Sequence, residues 1–373
     1  MGIPEKIKAL QEEIHKTQVN KATEFHIGLL KAKIARLKRE MEENPHGKLL
    51  SSSHVTAGFD LKRAGDATVV LIGMPSVGKS TLLNVLTNAK SKISSYKFTT
   101  LTAVPGIMDY LGAKIQVLDL PGIIEGAADG KGLGKRVLSV ARNADLILFI
   151  VDVFQPENLV TLKKELSQIG VKTDQDPPNV KVEKTSNGGI SLKIESPIKL
   201  TNNLIKEILH VYGIHNGRVT IKEPGLTEEQ FIDVLNGNAV YVPSLLVINK
   251  IDLVDQFFLE EIQPKIQREF IPISAESNTN IDTLKKAIYH KLDFIRIYMH
   301  PKGQKIDYKE PMIMRNGCTI EDLCNKIHRR MLQDFRFAYV SGPSAKFDGQ
   351  KVGLDHMLLD EDIVTIVKRI NAL

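Results

Sequence analysis

The nine residues GMPSVGKST (73–81) follow the apolar run ATVVLIG (67–73) and lead into LLNVLT (82–87), so a buried strand passes through a two-glycine loop into a helix. Gly73-x-x-x-x-Gly78-Lys79-Ser80 is the phosphate-loop pattern, and strand before, helix after is the context that it requires. The physical reason is local. Gly73 and Pro75 shape the turn, and successive N–H groups from Ser76, Val77 and Gly78 to Thr81 point with the helix N-terminus at a phosphate. Lys79 adds a point charge for the β- and γ-phosphate oxygens, and the Ser80 hydroxyl is placed for Mg²⁺.

Outward from this loop, KIQVLDLPG, ADLILFIVDV, SLLVINKID and FIPISA read as further strands, separated by helical patterns such as ENLVTLKKELSQI and IDTLKKAIYHKL. Unbroken Val/Ile/Leu runs are buried on both faces, which predicts a doubly wound, mostly parallel α/β sheet over residues 66–293. The interval between FIVDV and LLVINKID is far longer than one helix needs. It predicts an inserted α+β subdomain at 171–241, with a hairpin around Asn187-Gly188 and two helices, the second opened by a Thr227…Gln230 capping box. Helical spacing of Ile7, Leu10 and Ile14, then Leu30, Ile34, Leu37 and Met41, predicts a helical hairpin within 1–50. Residues 294–373 change period again, strand, strand, helix, strands, and predict a small β-grasp domain. The last α/β helix is complete before residue 294, so this domain is expected to be removable with nucleotide binding nearly intact.

A later strand end distinguishes the base. In NKID (249–252) an ionised Asp252 is an acceptor-only fork that fits the paired N1–H and 2-amino donors of guanine, a pair that adenine lacks. Asn249 would brace the loop and Lys250 would lay its stem across the base. Alone, the tetrapeptide could equally be a surface turn; behind a phosphate loop it reads as a guanine site. DLPG places the Asp119 carboxylate near Mg²⁺ and the Gly122 N–H near the γ-phosphate, FTTLT (98–102) offers a hydroxyl to the metal, and Ser274 and Ala275 of SAE would turn amides toward the guanine oxygen.

The wording and order of GMPSVGKST, YKFTTLTAVPG, DLPGIIEGAADGKGLGKRVLSVARNAD and NKID resemble the Obg-type GTPases, and within them the developmentally regulated GTP-binding proteins, over nearly the whole chain. The resemblance implies a P-loop GTPase fold with an N-terminal helical pair, an insertion and a C-terminal TGS domain. It implies GTP and GDP as ligands, phosphate contacts from Gly78, Lys79, Ser80 and Thr81, Mg²⁺ ligation by Ser80 and Thr100 (with Thr99 the adjacent alternative), and guanine recognition by Asn249, Lys250 and Asp252. Lys79, Thr100 and Gly122 are the residues expected to carry catalysis. It also implies a partner in the ribosome or its RNA, with room for an accessory regulatory protein. A GTP-sensing scaffold with negligible turnover and a protein partner is the competing reading. The chain departs from Ras-like enzymes where a water-orienting glutamine follows the DxxG glycine, because Ile123 stands there; Glu125 and Asp129 are nearby polar groups. K⁺ assistance stays open, with Ser76 where K⁺-dependent relatives carry Asn.

Charge adds little. The net +6 is +3 from residues 1–50 (ten Lys/Arg, seven Asp/Glu) and +3 from 294–373 (thirteen, ten), which suits solvated helix faces or contact with RNA. Phe335, Phe337 and Tyr339, spaced by two beside HRRML, read either as one core-facing row or as part of a base-stacking surface. The absence of an apolar run of membrane length and of a leader-like start, with two cysteines in no framework, points to a cytoplasmic protein with no membrane and no DNA partner.

Overall fold

A computed structural model describes residues 2–18, 20, 23–43, 65–87, 104–119, 140–237, 239–301, 303 and 305–369. Helices α1 (Ile3–Lys16) and α2 (Glu24–Glu43) pack on each other. Between them Thr23 N donates to Asn20 Oδ1 at 3.0 Å and Asn20 N to Thr23 Oγ1 at 3.1 Å, so the two residues satisfy one another ahead of α2.

The α/β core begins with β1 (Ala67–Ile72), α3 (Lys79–Leu86), β2 (Val104–Tyr110), β3 (Ala113–Asp119), β4 (Leu146–Asp152) and α4 (Asn158–Gln168). The chain then enters the insertion, with β5 (Val171–Thr173), β6 (Val180–Lys184), β7 (Ile190–Ile194), α5 (Asn202–Val211), β8 (Gly217–Ile221), α6 (Glu228–Asn236) and β9 (Val240–Val242). The core resumes with β10 (Ser244–Asn249), a 3₁₀ turn (Ile251–Leu253), α7 (Gln256–Ile266), β11 (Ile271–Pro272) and α8 (Ile281–Lys291). Its sheet runs β11-β10-β4-β1-β3-β2, parallel throughout except for β2, which is antiparallel to β3. Every residue of β1 is buried, as expected of a strand covered on both faces.

The chain divides into two compact units, Met1–Gly58 with Gly170–Tyr241 and Phe59–Ile169 with Val242–Leu373. The first unites segments that the sequence reading kept apart. Ala32 of α2 joins Leu204, Ile205, Ile208, Val219, Ile221 and Phe231 in one apolar core, and Lys31 reaches Glu229 at 3.2 Å. Within the insertion the expected hairpin does not form. Strand β8 lies between β6 and β7, antiparallel to β6 and parallel to β7, so the Asn187-Gly188 turn joins strands that are not neighbours. The predicted Thr227…Gln230 capping box is present at the start of α6.

The C-terminal domain has β12 (Phe294–Met299), β13 (Met312–Arg315), α9 (Ile320–Ile327), α10 (Arg329–Gln333), β14 (Phe335–Ser341), β15 (Gln350–Val352) and β16 (Ile363–Lys368), in the sheet order β13-β12-β16-β14-β15. It joins the α/β core without an intervening linker. Phe294 and Ile313 belong to the same apolar cluster as Leu284, Ile288, Tyr289 and Leu292 of the α/β core. Lys326 pairs with Asp66 at 3.0 Å, and Arg315 with Asp145. Gly112, at the β2–β3 turn with φ +84°, lies so near Pro311 that a Cβ would come within 2.6 Å of its Cγ. Burial pushes the Tyr289 phenol up to about 12, with the Asp360 carboxylate a further cause.

These contacts set a stability cost against the expectation that nucleotide binding stays nearly intact once residues 294–373 are removed. A cut there strips Phe294 and Ile313 from the core beneath α8. Phe294→Ala alone is expected to lower stability by about 3 kcal/mol, and truncation by more. Thermal unfolding followed by circular dichroism checks both; an unchanged midpoint for the truncated chain would show the two domains to be independent. Among the described residues, no helix is long and apolar enough to cross a membrane.

Candidate nucleotide site

The loop between β1 and α3 sits at the carboxyl edge of the parallel sheet, where open α/β folds bind ligands. Gly78 has φ +91°, and a Cβ there would stand 2.4 Å from Asn249 Nδ2. Only glycine fits this position. Asn249 is 3% exposed; its Nδ2 donates to the Val77 carbonyl at 2.8 Å, and its Oδ1 accepts from Ala275 N at 3.0 Å. One side chain thus ties the phosphate loop to the SAE loop, as its bracing role requires. The Ala275 amide, expected to face the guanine oxygen, donates to Asn249 in this structure. Ser274 is buried, and its Oγ accepts from Ser277 N at 3.1 Å, which holds the turn that follows β11.

Lys79 is 9% exposed, and its ammonium donates to the Gly73 and Met74 carbonyls at 3.0 and 2.8 Å. It spans the loop from within. Burial lowers its pKa and the nearby Asp119 raises it, so the carboxylate opposes the cost of a buried cation. Asp119, at the end of β3, is 2% exposed; its Oδ2 accepts from Ser80 Oγ at 2.7 Å, while its buried Oδ1 has no partner among the described residues. A desolvated carboxylate oxygen without a hydrogen bond is costly, and beside a serine hydroxyl it is a donor set for a hard cation. The residues therefore fit Mg²⁺. Ser76 is exposed with φ +63° on the loop, and Pro75 is exposed beside it, while Val77 is buried beneath.

On the base side, Lys250 has φ +70° and its ammonium meets Asp152 Oδ2 at 2.7 Å. Asp152 closes β4 in register with Asn249, and its other oxygen accepts from Phe154 N at 3.0 Å. Sequence reasoning missed Asp152, since a single acid at a strand end forms no motif. The only signal was its place in FIVDV, one strand over from NKID. Asp252 lies exposed in the 3₁₀ turn that follows, with no side-chain partner among the described residues. Its carboxylate is free to accept. Thr99, Thr100, Gly122, Ile123, Glu125 and Asp129 lie outside the described residues.

Comparison with known proteins finds GTPase relatives over nearly the whole chain. Residues 68–184 match the family described as 50S ribosome-binding GTPase, 187–294 the C-terminal region of that domain, and 295–368 the TGS domain. A GTP-binding protein of Methanocaldococcus jannaschii is 50% identical over 371 residues, covering 98% of this chain and 93% of the relative. The developmentally regulated GTP-binding protein 1 homolog of Dictyostelium discoideum is 45% identical, covering 99% of this chain and 100% of its own. Developmentally regulated GTP-binding protein 1 of Xenopus laevis is 43% identical, with the same two coverages.

Proposed function

The chain belongs to the developmentally regulated GTP-binding proteins, a family of GTPases, and from that premise we propose that it is a Mg²⁺-dependent switch that hydrolyses GTP slowly and reports its nucleotide state to the ribosome. The observation that carries the metal half is Asp119, with one oxygen on Ser80 and the other buried without a partner among the described residues. Ser80 and Thr100 are the proposed metal ligands, with Asp119 behind Ser80. Mg²⁺, when bound, draws charge from the phosphate oxygens. Lys79 exchanges its contacts with the loop carbonyls for the β- and γ-phosphates, Gly122 N–H meets the γ-phosphate, and the loop residues from Gly73 to Thr81 enclose the rest.

Slow turnover follows from Ile123, which holds the place of the missing glutamine and cannot orient water by hydrogen bonding. Ile123→Ala is expected to keep the turnover number within about tenfold of the parent, whereas Thr100→Ala, by removing a metal ligand, lowers it further. Single-turnover phosphate release measures both; a thousandfold loss for Ile123→Ala with GTP binding intact would give that side chain a catalytic role. K⁺ assistance is the second point to test, with Ser76 standing where K⁺-dependent relatives carry Asn. Equal rates in KCl and NaCl at one ionic strength would dismiss it.

The ribosomal half is supported by the TGS domain over residues 295–368 and by the +3 charge that residues 294–373 carry. The proposed setting is the cytoplasm, where Cys318 and Cys324, both buried free thiols, stay reduced. Co-sedimentation with ribosomes in GTP, GDP and no nucleotide tests the reading. Nucleotide-dependent association with phosphate release stimulated by ribosomes is expected; no association, with negligible turnover, would favour the scaffold with a protein partner.

A further inference from the structure

Asp152 does more than end a strand. It closes β4 opposite Asn249 at the end of β10, so the parallel ladder that carries NKID also fixes the acid beside it, and just beyond, Val153 N donates to the Asn249 carbonyl at 3.1 Å. Its two oxygens have separate tasks. Oδ1 accepts from Phe154 N at 3.0 Å, which folds the chain into a tight Asx turn, while Oδ2 meets the Lys250 ammonium at 2.7 Å. The turn is braced from outside, since the half-exposed Phe154 ring packs edge-on against Phe258 of α7, with centroids 5.9 Å apart.

Lys250 carries a signal of its own. At φ +70° it lies in the left-handed region, which a residue with a Cβ adopts at a cost, and such residues persist where the surroundings over-determine them. Glycine would lie there without that cost. The constraints are visible: Leu253 N donates to the Lys250 carbonyl at 3.1 Å, Ile251 N to the Ile273 carbonyl at 3.2 Å, and Asp152 holds the far end of the side chain. Backbone and ammonium are both pinned, while the side chain between them stays one-third exposed and open to a ligand. A surface lysine has many rotamers to lose when it packs on a ring; here much of that loss precedes the ring. A turn-holding role for Asp152 uses only Oδ1 and leaves the pair with Lys250 unexplained.

We propose that Asp152 is a positioning residue for the nucleotide: by holding the Lys250 ammonium it keeps the aliphatic stem laid across the face of the guanine base, and so lengthens the residence of GTP and GDP. The proposal rests on the reading of NKID as the base site and gives the face of the base to the Asp152–Lys250 pair, as the edge belongs to Asp252. A contact to the face does not distinguish purines that differ only at the edge.

The test follows dissociation of a fluorescent GDP analogue from the full chain, chased with unlabelled GDP. Asp152→Asn keeps an oxygen for Phe154 N but turns an amide toward the ammonium, so it spares the turn and breaks the pair. It and Asp152→Ala are each expected to speed dissociation about 3- to 30-fold, between the worth of an exposed ion pair and that of a charge-assisted hydrogen bond. Lys250→Met retains an apolar stem without the ammonium and should be comparably fast. Adding Asp152→Asn to Lys250→Met should then change the rate by less than about twofold, since the two residues act as one unit. Inosine triphosphate lacks only the 2-amino group, so the ratio of GTP to inosine triphosphate affinity should stay within about twofold of the parent for Asp152→Asn and shift for Asp252→Asn. Melting midpoints verify the fold of each variant. A parent-like rate for Asp152→Asn beside a fast Asp152→Ala would reduce Asp152 to a turn residue, and additive effects in the double variant or a changed purine preference for Asp152→Asn would equally overturn the proposal. A parent-like Lys250→Met overturns it too, while the base-site reading stands if Asp252→Asn still alters the preference. If the pair behaves as expected and Asp252→Asn alters nothing, the edge assignment alone fails.

Discussion

Asp252→Asn is expected to weaken GTP binding by about three orders of magnitude and to raise the affinity for xanthosine triphosphate. The carboxylate stands exposed in the 3₁₀ turn, free of side-chain partners among the described residues, so the substitution disturbs no internal bond. What changes is the inventory of donors and acceptors. A carboxylate accepts from both N1–H and the 2-amino group of guanine, at roughly 1.5–3 kcal/mol for each charge-assisted bond. An amide keeps one acceptor and presents a donor, which opposes the 2-amino group and fits the 2-keto oxygen of xanthine. Sites built around such pairs reject the unmatched analogue strongly. Displacement of a fluorescent GDP analogue by each triphosphate measures both constants, and unchanged GTP affinity with no gain for the xanthine nucleotide would remove Asp252 from the base site.

Lys79→Ala is expected to reduce turnover by about a hundred- to a thousandfold, the cost typical of deleting one preorganised donor from a developing charge. Two further consequences follow from where the lysine lies. Its ammonium now occupies the carbonyls of Gly73 and Met74, so the variant leaves two acceptors inside the loop to water. Asp119 loses the cation that opposes its own charge, so the apparent Mg²⁺ requirement should shift toward lower concentration even as catalysis fails. Phosphate release against Mg²⁺ concentration separates the two effects. A turnover number within tenfold of the parent would mean that the ammonium serves only to hold the empty loop.

In the candidate site the loop and the strand-end NKID were legible because each motif is contiguous and brings its own geometry; of DxxG, Asp119 alone is described. Asp152 was not legible, because its significance depends on β4 and β10 lying side by side, which no local pattern states. The insertion failed in the same way. Val180, Val182, Ile190 and Leu192 correctly report which faces turn inward, and Asn187-Gly188 is a sound turn, yet neither tells which strand is the neighbour. Strand β8, beyond α5 in sequence, takes the place between them. In β14 the period of two broke at Arg336, since one extra residue reverses every side chain before it relative to those after it. The helices were easier, because caps and apolar spacing are written within one or two turns.

The packing of α2 against the insertion also sets a timetable for synthesis. Arg36 hydrogen-bonds the carbonyl of Val211, 175 residues further along, and Lys31 reaches Glu229 across 198. At about 5–20 residues per second, the first two helices wait some ten seconds or longer outside the ribosome before the rest of their core exists. A helix of 14 residues such as α1 is marginal by itself in water. During that interval Ala32 and Ala35, which pack in the core of the insertion, stay uncovered on the nascent chain, a surface open to chaperones until α5 and α6 have emerged.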